Sequence, residues 1–500
     1  MTQEADSQRS GVLSQGLLSM LAYGMNFAAS IFAIIGMIRI MGKEAYGLFS
    51  VALVVVAFTS MISDFGIGPV IMRRLAIAPG RAGSILLETT LARLLLFVPT
   101  WMVAVAVGLW LDPSAEFMLI LHIMLINVLI SSRLPVIRGT FDAFYRSQTR
   151  MAFPTVTMAV DSIMLLVAVL VLPASFRDPV SAMILYTGSN IVGAAILLGG
   201  SVRFARKLNT EPVRATWAGM RDLVVTSAPL AVFLLLNALH TSIDTIYLKL
   251  LHGDEAVGIF NAAMRIMTPL AVFPTIIAIS AAPMIARASA GALAAAGDSE
   301  DSARMSRLFS LGFKTLLIGA VIIAGFGITN SEWLVTVVFR QEFSDAALPM
   351  ALLFLTFLPM SLNIFLVEVN NARDRLRMNT RFAAVLALVS LTVGALLIAQ
   401  WSASGAAAAK LTAVVAGLAF LIVRAREGIH FAVKPLVWKG ALLFAVLMAL
   451  RLGLDPLNFW LANVAALIAV TAGIFLLRVY SREEMALWKS QIAGLLRRNA

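Results

Sequence analysis

Among its 500 residues the chain has no cysteine, which excludes disulfides and thiolate metal sites. Histidine is almost as scarce. The four, His122, His240, His252 and His430, are too scattered to read as a ligand cluster, so no metal site is expected. Charged residues make up only 13% of the chain. No Walker phosphate loop, HExxH or nucleophile elbow occurs, so nothing supports ATP hydrolysis or the common hydrolase chemistries, and the chain reads as neither an enzyme nor a cofactor protein. A cleavable signal is also missing. The first dozen residues carry Glu4, Asp6 and Arg9, and the run behind them is about the 20 residues that span a bilayer.

What remains is apolar: 60% of residues, with a mean hydropathy of +0.91. This describes an all-α polytopic membrane protein. Fourteen runs are long enough to cross, near 17–38, 47–71, 85–110, 117–137, 152–172, 180–202, 223–248, 257–285, 309–329, 346–370, 380–400, 404–423, 436–454 and 457–478. The connections at Ser402 and Asp455 are so tight that their flanking runs nearly read as single helices.

A net charge of +12 suits either nucleic acid or the positive-inside bias of membrane loops, and position decides. With a cytoplasmic N-terminus, 30 of the 39 Lys and Arg fall in the even-numbered loops and the tails. The other face holds Arg39, Lys43, Arg177, Lys249, Arg340 and Arg451. The bias alternates loop by loop, so it fixes both termini as cytoplasmic and accounts for the charge without nucleic acid.

The chain also repeats itself. Gly42-Lys43-Glu44-Ala45-Tyr46-Gly47-Leu48-Phe49 returns 211 residues later as Gly253-Asp254-Glu255-Ala256-Val257-Gly258-Ile259-Phe260. Each octet lies between two apolar runs and reads as a tight turn whose glycines let the backbone reverse. An even number of crossings, about six, puts both turns on one face. The expected layout is two pseudo-symmetric six-helix lobes, 1–205 and 222–424, joined by a basic cytoplasmic linker, 206–221. A hairpin of two spans, 425–480, follows, then an amphipathic cytoplasmic tail helix, 481–500, with a Ser481-x-x-Glu484 capping box. Residues 286–307 read as a second surface helix or a disordered loop.

Charges inside the spans need a reason, because each costs roughly 2.5 to 3.5 kcal/mol at the bilayer centre. By helical rise Asp64 and Arg93 lie at matching depth, as do Asp244 and Arg265. Each pair either neutralises itself and fixes packing or contacts a substrate. Arg39, Lys249 and Lys410 have no obvious carboxylate at their depth. With Arg93 and Arg265 they are candidates to line a cationic cavity, although Arg39 and Lys249 end their helices and equally suit snorkelling to the interface. Asp161 and Glu368 have no assigned partner and are candidates for H+ or Na+ coupling, or for buried protonated carboxyls. Asn26, Asn127, Asn190, Asn237, Asn261 and Asn363 read as interhelical glue.

The segment Arg39 to Phe49, with Ser63-Asp64-Phe65-Gly66-Ile67 and Arg73, resembles the opening of the Wzx-like polysaccharide flippases of the multidrug/oligosaccharidyl-lipid/polysaccharide exporter superfamily. Ser242-Ile243-Asp244-Thr245, followed by Gly253 through Arg265, carries the same resemblance into the second half. The resemblance implies a transporter that carries an undecaprenyl-pyrophosphate-linked oligosaccharide to the outer leaflet of a bacterial inner membrane by alternating access. It also implies a polysaccharide polymerase and a chain-length regulator as partners. Arg39, Arg93, Arg265 and Lys410 would then meet the anionic cargo. A lipid II flippase, a cation-coupled multidrug antiporter and a membrane-embedded polysaccharide-assembly enzyme are the alternatives. Short outer loops speak against the last.

Overall fold

The computed structural model describes residues 2–294, 299–425, 433–454, 459–477 and 479–480. The tail 481–500 and the turn at Asp455 lie outside them. Among the described residues there is no strand. The helices in chain order are α1 (Thr2–Asp64), α2 (Ile67–Ile77), α3 (Ala82–Leu111), α4 (Ala115–Ile130), α5 (Val136–Ser147), α6 (Ala152–Val171), α7 (Pro179–Gly188) and α8 (Ile191–Leu208). Then come α9 (Trp217–Leu270), α10 (Val272–Ala294), α11 (Ser299–Thr329), α12 (Ser331–Phe339), α13 (Ala347–Ala372), α14 (Leu376–Ala425), α15 (Val433–Leu454) and α16 (Phe459–Leu476).

Eight helical stretches among the described residues are long and apolar enough to cross a membrane. The chain is therefore a multi-pass membrane protein. Three of these stretches, of 47, 66 and 49 residues, exceed what one crossing of about 30 Å needs. Each contains a backbone break: Gly42 in α1, Gly253 in α9, and Trp401 with Ser402 in α14. Gly42 (φ 76°, ψ 176°) and Gly253 (φ 80°, ψ −169°) adopt almost the same conformation, in a region essentially reserved for glycine.

The run 117–137 is not one helix. α4 stops at Ile130 and Ser131 is extended. Pro135 disfavours helix in the residue before it, and α5 restarts at Val136. The run 180–202 is likewise split, between α7 and α8 at Ser189 and Asn190. Over 286–307 the backbone is helical on both sides of residues 295–298.

The chain forms two compact units, Met1–Asn261 with Val338–Glu342, and Ala262–Val337 with Phe343–Ala500. In the first, α1 packs along α6 and α3, α4 along α7, and α2 on α5. Its apolar core joins Ile67, Ile71 and Leu75 to Leu86, Phe144 and Leu197. The basic connection after α8 is stitched down rather than loose. Asn209 accepts from the Gly83 amide (2.8 Å), the Thr210 amide donates to Gly80 O (3.0 Å), and buried Glu88 accepts from Thr216 Oγ1 (2.7 Å) at the start of α9. In the second unit α13 packs on α14, α11 and α10, and α15 on α16 and α11. Phe309, Phe313 and Phe365 fill its centre.

Gly253 and Gly24 both have open space where a β-carbon would go, and differ in that only Gly253 has positive φ. Gly253→Ala is therefore expected to lower stability by about 1 to 3 kcal/mol, whereas Gly24→Ala should be neutral or stabilising by up to about 1 kcal/mol. Thermal unfolding in detergent checks this, and equal melting temperatures for the two variants would remove the strain argument.

Candidate functional site

The two repeated octets meet within the first unit. A β-carbon on Gly47 would fall 1.8 Å from the carbonyl oxygen of Asp254, and one on Gly258 would fall 1.8 Å from that of Lys43. Shifting by 211 residues exchanges the two contacts, Gly47 with Gly258 and Lys43 with Asp254. The repeat in sequence is thus a local two-fold in space, in which each helix start rests on the other's turn at backbone distance.

Charges frame this contact. Lys43 pairs with Glu255. Lys249 Nζ bonds Asp112 (2.6 Å) and Asp254 (2.8 Å). Lys249 thus has two carboxylates where the sequence suggested none, and it is held in place instead of snorkelling. Asp112 lies 137 residues away in the chain and caps α3, a closeness that helical depth alone cannot reveal. Burial by itself would raise the Asp112 pKa, but hydrogen bonds from Lys249 and Ser114 bring it below the usual carboxylate range. This tie is present at neutral pH and is lost as pH falls through that lowered pKa. Arg39, half-buried, donates Nε to Val338 O at 2.5 Å.

A second polar cluster lies deeper. Arg93 on α3 is 1% exposed and pairs with Asp64 at 2.6 Å. It also donates to Val136 O and to Thr140 Oγ1 (3.0 Å) on α5. Asp161 on α6 is fully buried and pairs with Arg138 of α5, itself 3% exposed. Asp161 therefore has a partner, where the sequence assigned none. Arg138 also donates to Thr157 Oγ1 (3.0 Å) and to Ile130 O (3.3 Å), a carbonyl left unmatched because α4 ends there. Gly193 on α8 makes the room: a β-carbon there would stand 2.0 Å from Asp161 Oδ1.

Arg133 completes the cluster. It donates Nη2 to Ser162 Oγ (3.2 Å) and stacks over Tyr186 at 5.1 Å. Its Nε and Nη1 are buried with no acceptor among the described residues. Arg133 and Arg138 are among the 30 cations that the charge pattern assigns to the cytoplasmic loops and tails, and here Arg138 is buried and Arg133 half-buried. Pro135 was the available signal, because it ends the run 117–137 early and brings both arginines inside.

Asp244 is fully buried on α9 in the first unit, and half-buried Arg265 belongs to the second. Lys410, 6% exposed, lies on α14. Glu368 on α13 is half-buried and makes no hydrogen bond or ion pair among the described residues. Arg451, expected in an outer loop, is buried and donates to Asn330 (3.2 Å). Several asparagines do link helices: Asn190 to Asn127 (3.2 Å), Ser162 to Asn26 (2.8 Å) and Asn363 to Val414 O (2.9 Å).

The fold is similar to that of several solved membrane transporters. The chain is similar to the lipid II flippase MurJ in an inward closed conformation, with a TM-score of 0.68 and 11% identity over 93% of this chain and 98% of that one. It is also similar to a multidrug resistance MATE family transporter in an inward-facing conformation (TM-score 0.60, 12% identity, 83% and 98% covered). A MOP superfamily transporter from Pyrococcus furiosus gives a TM-score of 0.56 at 13% identity, covering 86% and 95%. Comparison with curated proteins gives no match. Residues 12–289 match the family described as polysaccharide biosynthesis protein, and the chain belongs to that family.

The buried pair gives a direct test. Asp161→Ala alone leaves Arg138 uncompensated and is expected to cost about 3 to 5 kcal/mol, while Arg138→Met with Asp161→Leu should recover most of it. Unfolding midpoints in detergent read the difference. A wild-type midpoint for Asp161→Ala would show that the pair does not hold the fold.

Proposed function

We propose that the protein is a flippase that moves an undecaprenyl-pyrophosphate-linked oligosaccharide from the inner to the outer leaflet of a bacterial cytoplasmic membrane. Its cargo would serve export of an exopolysaccharide, O-antigen or capsule-type polymer. The proposed layout is fourteen spans with cytoplasmic termini: lobes 1–205 and 222–424, the linker 206–221, the hairpin 425–480 and the tail 481–500. The breaks at Gly42, Gly253 and Ser402 support this layout. So does the 93% of the chain covered by the lipid II flippase structure, against 81% to 86% for the MATE structures.

The observation that carries the proposal is the reciprocal contact of the octets. Family membership supports the pathway, and the two-fold contact supports the mechanism. On the side opposite the basic loops, Gly47 and Gly258 let the starts of two repeat-related helices touch, and Lys43–Glu255 and Lys249 tie them. This is a closed outer gate. Opening it requires the octets to separate, the rocking motion that inverted or parallel repeats perform around a central site.

The cargo's pyrophosphate would meet Arg39, Arg93, Arg265 and Lys410, joined by Arg133, whose unmet donors are those a phosphate oxygen satisfies. Lys249 holds the gate. Glu368 is the carboxylate proposed for H+ or Na+ coupling, while Asp64 and Asp161 neutralise arginines and Asp244 remains a second coupling candidate. A polymerase and a chain-length regulator are the proposed partners.

Because the chain has no cysteine, the gate can be tested on a clean background. Lys43→Cys with Glu255→Cys is expected to export polymer while reduced, to lose at least about tenfold of that export when bridged by a short bis-thiol reagent, and to recover on reduction, tenfold corresponding to about 1.4 kcal/mol. Unchanged export from the fully bridged protein would contradict a moving gate. Separately, Arg265→Ala and Lys410→Ala should insert normally but leave lipid-linked repeat units trapped in the inner leaflet. Wild-type export from both, with an altered drug-resistance profile, would favour the multidrug antiporter.

A further inference from the structure

A cavity of about 590 Å³ opens in the first unit between the end of α8 and the start of α6, and none of its lining residues belongs to the gate or to the buried charge cluster. Its wall carries Arg150, Arg203 and Lys207, and no carboxylate lines it. Tyr145, Phe153 and Phe204 form its floor, with ring centroids 4.9 to 5.5 Å apart. The Arg150 guanidinium sits 4.7 Å over the Phe204 ring. Gly200 is what lets the floor close, since a β-carbon there would stand 2.5 Å from the Phe153 ring.

The position of the cavity is informative. α6 is 20 residues long, about 30 Å, the thickness of the hydrocarbon core. Its first residue therefore sits at the hydrocarbon boundary, and Arg150 lies two residues outside it, at headgroup depth. Below the cations the surface is apolar and exposed. Val156 of the cavity continues along α6 through Ile163, Val167 and Leu170, and α8 exposes Ile196 and Val202 beside it. A positive-inside bias alone would scatter basic residues over the loops. Here three from two separate segments converge on an aromatic floor that opens onto acyl-chain surface.

We propose that this cavity binds an anionic phospholipid of the inner leaflet, its phosphate between Arg150, Arg203 and Lys207 and its chains along the exposed faces of α6 and α8. Basic pockets between transmembrane helices on the cytoplasmic side hold acidic headgroups through such convergence. The phosphate meets three cations at low cost, because none of them is already neutralised by a carboxylate in the cavity. The aromatic floor adds a rigid surface for the glycerol backbone. The proposal requires a membrane-embedded chain but not a flippase, so failure of one reading leaves the other standing.

The test uses purified full-length protein, native mass spectrometry and phosphatidylglycerol, with phosphatidylcholine, inorganic phosphate and undecaprenyl phosphate as comparison ligands. The triple variant Arg150→Gln, Arg203→Gln, Lys207→Gln removes the cavity's charge. Arg73→Gln, Arg206→Gln, Arg214→Gln removes the same charge elsewhere. Wild type and the second variant should each retain one phosphatidylglycerol, with binding at least about tenfold weaker in the cavity variant and no retention of phosphatidylcholine. Equal retention by both variants would overturn the proposal. So would displacement of the lipid by millimolar inorganic phosphate, which would make the site one for free phosphate, or a preference for undecaprenyl phosphate, which would make it a cargo-loading site. Should the cavity variant fail to fold, a photoactivatable phosphatidylglycerol on wild type gives the same decision. Labelling of residues 145–156 and 200–207 supports the site, and labelling confined to other segments rejects it.

Discussion

Backbone against backbone leaves no room for a side chain, and this constraint at Gly47 and Gly258 organises the first unit. Each glycine abuts a carbonyl oxygen of the opposite octet, so each octet fixes the path of the other. The positive-φ conformation shared by Gly42 and Gly253 follows from the same arrangement, since the chain must reverse just before the contact. Lys43, Glu255, Lys249, Asp254 and Asp112 then surround it with paired charge. The more exposed of these pairs, Lys43 with Glu255, is of the kind that is weak at a wet surface, which suits a contact proposed to break in every transport cycle. A tighter seal would hold the gate shut.

The buried charges obey a different rule. In hydrocarbon an arginine needs a counter-charge and acceptors for its other donors. Arg138 has both, from Asp161, Thr157 and the end of α4, whereas Arg93 pairs with Asp64 and donates to Val136 and Thr140 but keeps its Nε unmet among the described residues. Arg138 is thus committed to helix packing in this conformation. Arg133, with two donor nitrogens unmet among the described residues, is committed only in part. A site for an anion that must also release it needs cations of that kind, because fully neutralised ones bind nothing further.

Much of this was legible in the sequence, and the failures have identifiable causes. The octet repeat announced itself because glycine, glutamate and alanine recur at fixed spacing, and helical depth alone brought Asp64 and Arg93 together. The tight connection at Ser402 became a break with φ 49° inside a continuous helical stretch. Asp161 was misread because hydropathy averaging carried the run 117–137 through Pro135, which left Arg138 in a loop. Lys249 was misread because its partner Asp112 is remote in sequence and caps a different helix. Periodicity finds what lies along one helix, whereas partners contributed by another helix end appear only in three dimensions.

Translocation of a lipid-linked oligosaccharide can be followed with the purified protein in sealed vesicles. A lipid-linked oligosaccharide placed in both leaflets is exposed to a membrane-impermeant glycosidase outside. In protein-free vesicles only the outer-leaflet fraction, about half, is cleaved, since polar headgroups do not cross hydrocarbon unaided. Wild-type protein is expected to raise cleavage toward completion, and bridging the octets in the Lys43→Cys, Glu255→Cys variant to return it to the protein-free level. Cleavage that stays at the protein-free level with unbridged wild-type protein, in vesicles where the same protein moves a small cationic drug, would contradict oligosaccharide translocation.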